Sequence, residues 1–378
     1  MPIDPILPDY LGACISSVVP AVLTRRQGNH PEWLPEPVRH ADQVVLLVLD
    51  GLGWEQMLNA GSAVPVLSSG VGGPITSVVP TTTAAALTSI ATGMAPSQHG
   101  VVGYRLHLAP EVAGGRAEIM NVLRWQSENG DLRQRVPAPL WQPSPAFLGT
   151  APPAVTRAEF NSTGFTAAHL RGARHVGWRV PSTLVVEVRR LLAAGESFVY
   201  AYYDGIDKVA HEYGLGEHYA QELCSADRLV GDLLSVLPVG ATLVVTADHG
   251  QVDVGTATRL PAPELLSAST LVSGEGRFRW LHARPGALPD MVDVAIDAHG
   301  AEAWVVTREQ MIDDMWFGGP LDKHVADRLG DLALVARAPV AFLDPADTGE
   351  TRLLGRHGSL TSGEMFVPLI AWAADHSS

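Results

Sequence analysis

The chain has 378 residues, 46% of them hydrophobic, enough to bury a large core and more than one core of ordinary size usually takes. Its formal charge of -14 excludes a protein that grips a nucleic-acid polymer by the backbone, because such binding depends on clustered Lys and Arg. The two cysteines, Cys14 and Cys224, fit no CxxC spacing, which excludes a disulfide framework and a thiolate metal site and leaves free thiols.

Taken in chain order, residues 10–23 are mildly apolar but follow Asp4 and Asp9 rather than a basic stretch, and they contain Pro20, so they make a poor signal peptide. No apolar run reaches membrane-span length, and a cytoplasmic chain without a membrane partner is expected. The run VVLLVL over 44–49 predicts a buried parallel strand ending at Asp50. After Pro80, the threonines Thr81, Thr82 and Thr83 and a run of small residues predict the start of a helix. His99-Gly-Val-Val-Gly-Tyr104 and Arg105 follow. The Pro-rich stretch 137–153 reads as a long surface loop. Asn161-Ser162-Thr163 matches a glycosylation acceptor, which carries no meaning without secretion.

Residues 183–194 place Leu184, Val185, Val188, Leu191 and Leu192 on one helical face, and Leu223, Ala226, Val230 and Leu233 repeat that period. Strands are predicted over 198–203, before Asp207 and His211, and over 242–246, before Asp248 and His249. Thr307 and Gln310 form a capping box, 332–343 is strand-like, and His357 lies in GRHGS just before a last apolar strand. Strands alternating with helices predict a doubly wound, mostly parallel sheet with helices on both faces. A smaller α+β lobe is expected at about 265–350 within one catalytic domain.

Three predicted strands thus end in Asp50, in Asp207 with His211, and in Asp248 with His249. The carboxyl ends of parallel strands form the edge at which ligands bind, so these side chains can converge, with His357 as a fourth contributor. Carboxylates and imidazoles without cysteine suit Zn2+ first, with Mn2+ or Fe as alternatives. Asp50 alone reads more readily as an N-cap or turn residue, and Asp207 with His211 reads equally as a solvated helix face. Adjacent Asp248 and His249 after an apolar strand are costly to bury without a partner. The threonines read either as a helix cap and its neighbours or as a nucleophile at an anion-binding helix start.

In order, Asp50, Pro80 to Thr83, Thr92-Gly93, His99-Gly100, Asp207 with His211, Asp248 with His249 and His357 resemble the type I phosphodiesterase and nucleotide pyrophosphatase branch of the alkaline phosphatase superfamily. The resemblance implies two divalent metal ions, one held by Asp207, His211 and His357, the other by Asp50, Asp248, His249 and the Thr83 oxygen. It also selects Thr83 as the nucleophile of a phosphothreonine route. Tyr104 stands where many members carry an asparagine that holds a phosphoryl oxygen. Tyr104, Arg105 and Lys208 are candidate substrate contacts, with Glu212 at helical spacing from Lys208. The expected substrate is a small diester or nucleotide-type phosphoester. A phosphomonoesterase, another hydrolase of the superfamily and a metal-binding scaffold without turnover are the alternatives. The Cys-x-Pro-x-Arg pattern of sulfatases is absent.

Overall fold

Continuous apolar runs give strands covered on both faces, and in the computed structural model β1 (Gln43–Leu49) is buried at every position after Gln43. The structure describes residues 4–28, 30–347 and 352–374. With β2 (Val71–Thr76), β3 (Pro153–Arg157), β4 (Arg174–Trp178), β5 (Phe198–Tyr203), β6 (Ala241–Thr246) and β7 (Phe366–Ala373), β1 builds a seven-stranded sheet in the order β2-β7-β6-β1-β5-β3-β4. All neighbouring pairs are parallel except those of β7, which runs antiparallel to β6 and β2.

That topology sets up the site. Val48 of β1 pairs with both Tyr202 of β5 and Thr246 of β6, so Asp50, Asp204 and Asp248 leave the sheet at neighbouring positions. Because β7 is reversed, its first residue, Phe366, pairs with Thr76 at the end of β2. The segment that feeds β7, with His357, therefore enters at the same edge where β2 delivers Ser77 to Thr83. Helices Pro181–Ala193 and Glu217–Leu234 cover the sheet with Leu184, Val188 and Leu192 and with Leu223, Ala226, Val230 and Leu233 buried, as their spacing predicts.

Between β6 and β7, strands Ser269–Glu275, Phe278–Ala283, Leu332–Ala336 and Ala303–Thr307 form a separate antiparallel sheet in that order. Helices Pro263–Ala268 and Leu288–His299 accompany it, and Leu265, Leu281, Met291, Leu334 and Phe342 give it a core of its own. Thr307 and Gln310 make the reciprocal capping bonds at 3.2 and 2.9 Å. The lobe is fastened to the main sheet by Arg277, whose Nε and a terminal nitrogen each donate to Glu364 at 2.7 Å, both side chains being fully buried.

One stretch was not read from the sequence and another differs from the reading. Residues 105–131 form a small antiparallel sheet of four short strands, whose brevity leaves no readable alternation. The stretch 137–153 is only partly a surface loop. It contains a helix, Ala138–Trp141, and buries Phe147, whose ring centroid lies 5.7 Å from that of Phe198 and 5.5 Å from that of Tyr200. Cys14 is buried and Cys224 half-buried, both as free thiols. Among the described residues, no helix is long and apolar enough to cross a membrane.

Candidate active site

The ends of β1 and β6 bring Asp50, Asp248 and His249 together with almost no exposure. His249 Nε2 lies 3.5 Å from Asp50 Oδ1 and 3.3 Å from Asp248 Oδ2. Asp50 Oδ2 accepts a short hydrogen bond from Tyr202, and Asp248 Oδ1 accepts from the Gly51 and His249 amides at 3.1 and 3.0 Å. The other oxygens, Asp50 Oδ1 and Asp248 Oδ2, are buried without a hydrogen-bond partner among the described residues. Gly51 has φ +79°, and a Cβ there would come within 3.1 Å of the Asp207 backbone, so only glycine lets these two segments approach so closely.

Asp207 lies in the first turn and His211 in the last turn of the helix Gly205–Tyr213, on one face. Asp207 Oδ1 lies 3.3 Å from His211 Nε2 and 3.6 Å from His357 Nε2. The rings of His357 and His249 stack at 3.5 Å, which joins the two clusters. His249 therefore sits between them: its ligand atom comes within 4.8 Å both of those of Asp207 and His357 and of those of Asp50 and Asp248.

Each of the three histidines has Nδ1 against a backbone carbonyl: His211 on Gly355 at 2.7 Å, His249 on Gly250 at 3.0 Å and His357 on Thr81 at 2.8 Å. A carbonyl only accepts, so Nδ1 carries a proton and Nε2 is the ring atom turned toward the carboxylates. Burial, then the charges of Asp248 and Asp207, holds the Asp50 carboxyl well above its ordinary range, and burial also raises Asp248. Burial, then His249 and His211, pushes His357 well below the usual imidazole value. Imidazoles aimed through Nε2, crowded carboxylates and two orphaned buried oxygens make a donor set that fits divalent cations.

The helix Thr83–Thr92 starts beside this cluster with Thr82 as N-cap, its hydroxyl accepting from the Ala85 amide at 3.5 Å. Thr81 donates to the Ser359 carbonyl at 2.8 Å and accepts from the Gly358 amide at 3.0 Å. Only the Thr83 hydroxyl turns to the cluster, 3.2 Å from His249 Nε2.

A cavity of about 250 Å³ adjoins Thr83, Asp50 and Asp207. Its walls include Leu87, Leu123, Phe160, Phe165 and Leu170, with Lys208 and Asp204 also in the lining. Lys208 bonds Asp204, one turn back, at 2.6 Å rather than Glu212, one turn forward, and Arg157 donates to the same carboxylate at 2.7 and 2.8 Å. Arg105 is not brought to the cavity: Asp344 and Asp347 hold it at 2.9 Å each. Tyr104 is likewise absent from the lining, its hydroxyl accepting from Asn121 at 2.6 Å. Sequence reasoning missed Tyr202 on Asp50, and Gln251, which donates to Asp207 Oδ1 at 2.6 Å. Gln251 follows Asp248-His249-Gly250 directly, and that position was the signal for it.

A family model described as type I phosphodiesterase / nucleotide pyrophosphatase matches residues 44–360, which span every residue of the cluster. The chain belongs to this family. No curated protein matches it. Among solved structures, murine ectonucleotide pyrophosphatase / phosphodiesterase 5 aligns with a TM-score of 0.65 and 15% identity over 87% of each chain. An inactive form of that protein in complex with AMP aligns with the same score and identity over 88% of each. Phosphonoacetate hydrolase from Sinorhizobium meliloti 1021, in complex with phosphonoformate, aligns with a TM-score of 0.63 and 20% identity, covering 88% of this chain and 90% of that one. These likenesses establish an alkaline-phosphatase-type α/β fold, and family membership places the chain among phosphodiesterase- or pyrophosphatase-type phosphoester hydrolases.

Proposed function

We propose that the chain hydrolyses small phosphodiesters or nucleotide-type pyrophosphates through Thr83, with two divalent cations, Zn2+ first by donor chemistry. Asp207, His211 and His357 would hold one cation, and Asp50, Asp248 and His249 the other, with the Thr83 oxygen beside it. When bound, the cations neutralise the carboxylates and the substrate's charge and lower the pKa of the threonine hydroxyl. The Thr83 oxygen, losing its proton to solvent, bonds to phosphorus while the bond from phosphorus to the leaving oxygen breaks. Water then attacks the phosphothreonine and frees Thr83, so two displacements retain configuration at phosphorus. The start of the Thr83 helix favours the anionic phosphoryl group by its dipole. Tyr202 and Gln251 fix the rotamers of Asp50 and Asp207.

The observation that carries this reading is the orientation of Thr83, the one threonine of the triplet whose hydroxyl faces the carboxylate and imidazole cluster. A diester preference is supported by the cavity lining, whose single Lys or Arg, Lys208, is already paired with Asp204. A monoester dianion calls for more positive charge than that. Isolation of a phosphopeptide carrying phosphate on Thr83 after rapid acid quench with a diester, and a higher kcat/KM for bis-p-nitrophenyl phosphate than for p-nitrophenyl phosphate, test the two halves of the proposal. A phosphate-free Thr83 during steady turnover, or a clear monoester preference, overturns the corresponding half.

A further inference from the structure

Thr81 stands two residues before Thr83 and takes no part in the proposed chemistry. It is fully buried, and its amide, carbonyl and hydroxyl are all bonded to the turn 357–359. The amide donates to the Gly358 carbonyl at 3.3 Å, and the carbonyl accepts from His357 Nδ1 at 2.8 Å. The hydroxyl donates to the Ser359 carbonyl at 2.8 Å and accepts from the Gly358 amide at 3.0 Å. Thr82, buried just as deeply, bonds instead within its own segment, to Pro80, Ala85 and Ala86. Capping the helix is thus the work of Thr82, and a helix start requires none of the bonds that Thr81 makes.

The turn is held from its other side as well. The Ser359 amide donates to Glu364 Oε1 at 2.9 Å and its hydroxyl to the Ala336 carbonyl of the lobe, while Arg277 fixes Glu364. His357 projects from this turn with Nδ1 on Thr81, which leaves Nε2 directed at Asp207, 3.6 Å from Oδ1. Parting Thr81 from the turn would strand several buried polar groups at once.

Resting on the reading of His357 as a ligand of one cation and of Thr83 as the nucleophile, we propose that Thr81 is a positioning residue that joins the two. Its hydroxyl keeps the turn 357–359 and the start of the Thr83 helix in one register, so the cation held through His357 and the Thr83 oxygen are set relative to each other by a single side chain. The coupling is reciprocal: binding of that cation steadies the working position of Thr83, and a well-placed Thr83 helix favours the cation.

The test is the Zn2+ affinity of the full chain, read by competition with a chromophoric chelator, with His357→Ala marking the site that His357 serves. Thr81→Val keeps the shape of the side chain and removes the hydroxyl. It should weaken Zn2+ at that site by about tenfold or more, the usual effect of disturbing what stands behind a ligating imidazole. At saturating Zn2+ it should also lower kcat for bis-p-nitrophenyl phosphate by about tenfold with KM little changed. Thr81→Ser keeps the hydroxyl and loses a methyl group, so it should lower the melting temperature yet restore both Zn2+ affinity and kcat. Thr81→Ala, which only removes atoms, carries the valine expectation if that variant does not fold. Wild-type Zn2+ affinity in Thr81→Val, or a serine variant as impaired as the valine one, overturns the proposal, because a merely structural threonine would change the melting temperature alone. An unchanged kcat at saturating Zn2+ overturns the link to Thr83. A wild type that neither binds Zn2+ nor hydrolyses the diester overturns instead the reading of the site, and this inference with it.

Discussion

Thr83 Oγ1 and His249 Nε2 lie 3.2 Å apart although 166 positions separate them in sequence. The first opens a helix that follows β2, the second follows β6, and reversed β7 is the strand between them. The contact therefore depends on how that strand is inserted as much as on either residue. The neighbouring Thr81 is bonded twice to the turn after His357, so the lead-in to the helix is held from the far end of the chain.

Thr83→Ala is expected to reduce kcat by about a thousandfold or more, because the covalent route disappears. Thr82→Ala removes an N-cap and costs about 0.5–2 kcal/mol of stability with turnover largely kept. Rates with bis-p-nitrophenyl phosphate and urea unfolding of the two variants check this. An inactive Thr82 variant beside an active Thr83 variant would move the nucleophile by one residue.

Metal analysis of the purified chain should give close to two divalent ions, with activity lost on chelation and regained on adding Zn2+. His357→Ala should remove about one of them while far-UV circular dichroism is unchanged, as the residue lies on the edge of the sheet and outside the core cluster. Full activity in metal-free protein contradicts the assignment.

The raised Asp50 pKa makes a further prediction about metal-free protein. The folded state holds this proton more tightly than the unfolded state, so Asp50 contributes stability at low pH that is lost as pH rises from its unfolded value of 3.8 through the folded one. Asp50→Asn, which keeps an acceptor for Tyr202, should therefore raise the melting temperature of metal-free protein at pH 8 by on the order of a few degrees and hardly at all near pH 4. Thermal scans in chelator at the two pH values read this out, and a larger gain at the acid end would contradict the sign.

The candidate ligands were legible because chemistry and topology coincide at them: Asp50, Asp207 and Asp248 each follow a run whose apolar character alone predicts a buried strand. The cavity was not. Its wall between Thr156 and Leu170 offers in sequence only a glycosylation triplet, and it gains meaning from lining one cavity with Leu87 and Leu123. Arg105 follows Tyr104 and invites a substrate role, yet its acidic partners lie more than two hundred positions away, beyond any local pattern. Lys208 has a carboxylate at helical spacing on either side, Asp204 and Glu212, and it pairs with Asp204, which Arg157 also holds from outside the helix.

Lys208 and Arg105 should consequently behave differently when truncated. Lys208 is half exposed and borders the cavity, so Lys208→Ala should raise KM for bis-p-nitrophenyl phosphate severalfold with little change in stability. Arg105→Ala leaves the nearly buried Asp344 without its cation and should lower the melting temperature with KM unchanged. Steady-state kinetics and thermal scans on the two variants separate these effects, and the reverse pattern would return Arg105 to the substrate.

Arg277→Met is expected to cost about 3–5 kcal/mol, because it strands the buried Glu364 carboxylate. Urea unfolding measures it. A loss below about 1 kcal/mol would mean that water reaches the pair.

The position of β7 also dictates when, during synthesis, the protein becomes able to act. β2 joins the sheet through β7 alone, and β7 with His357 leaves the ribosome after every other strand of that sheet has been made. A nascent chain stopped before Gly355 already carries Thr83, Asp50, Asp207, His211, Asp248 and His249, yet it lacks the strand that seats the threonine helix against them. Closure of this long-range pairing is the entropically costly event of folding, and it coincides with assembly of the cluster. On the proposed mechanism, a chain stopped before β7 is expected not to cleave phosphoesters, and the capacity to do so is expected to arrive with the last strand of this sheet.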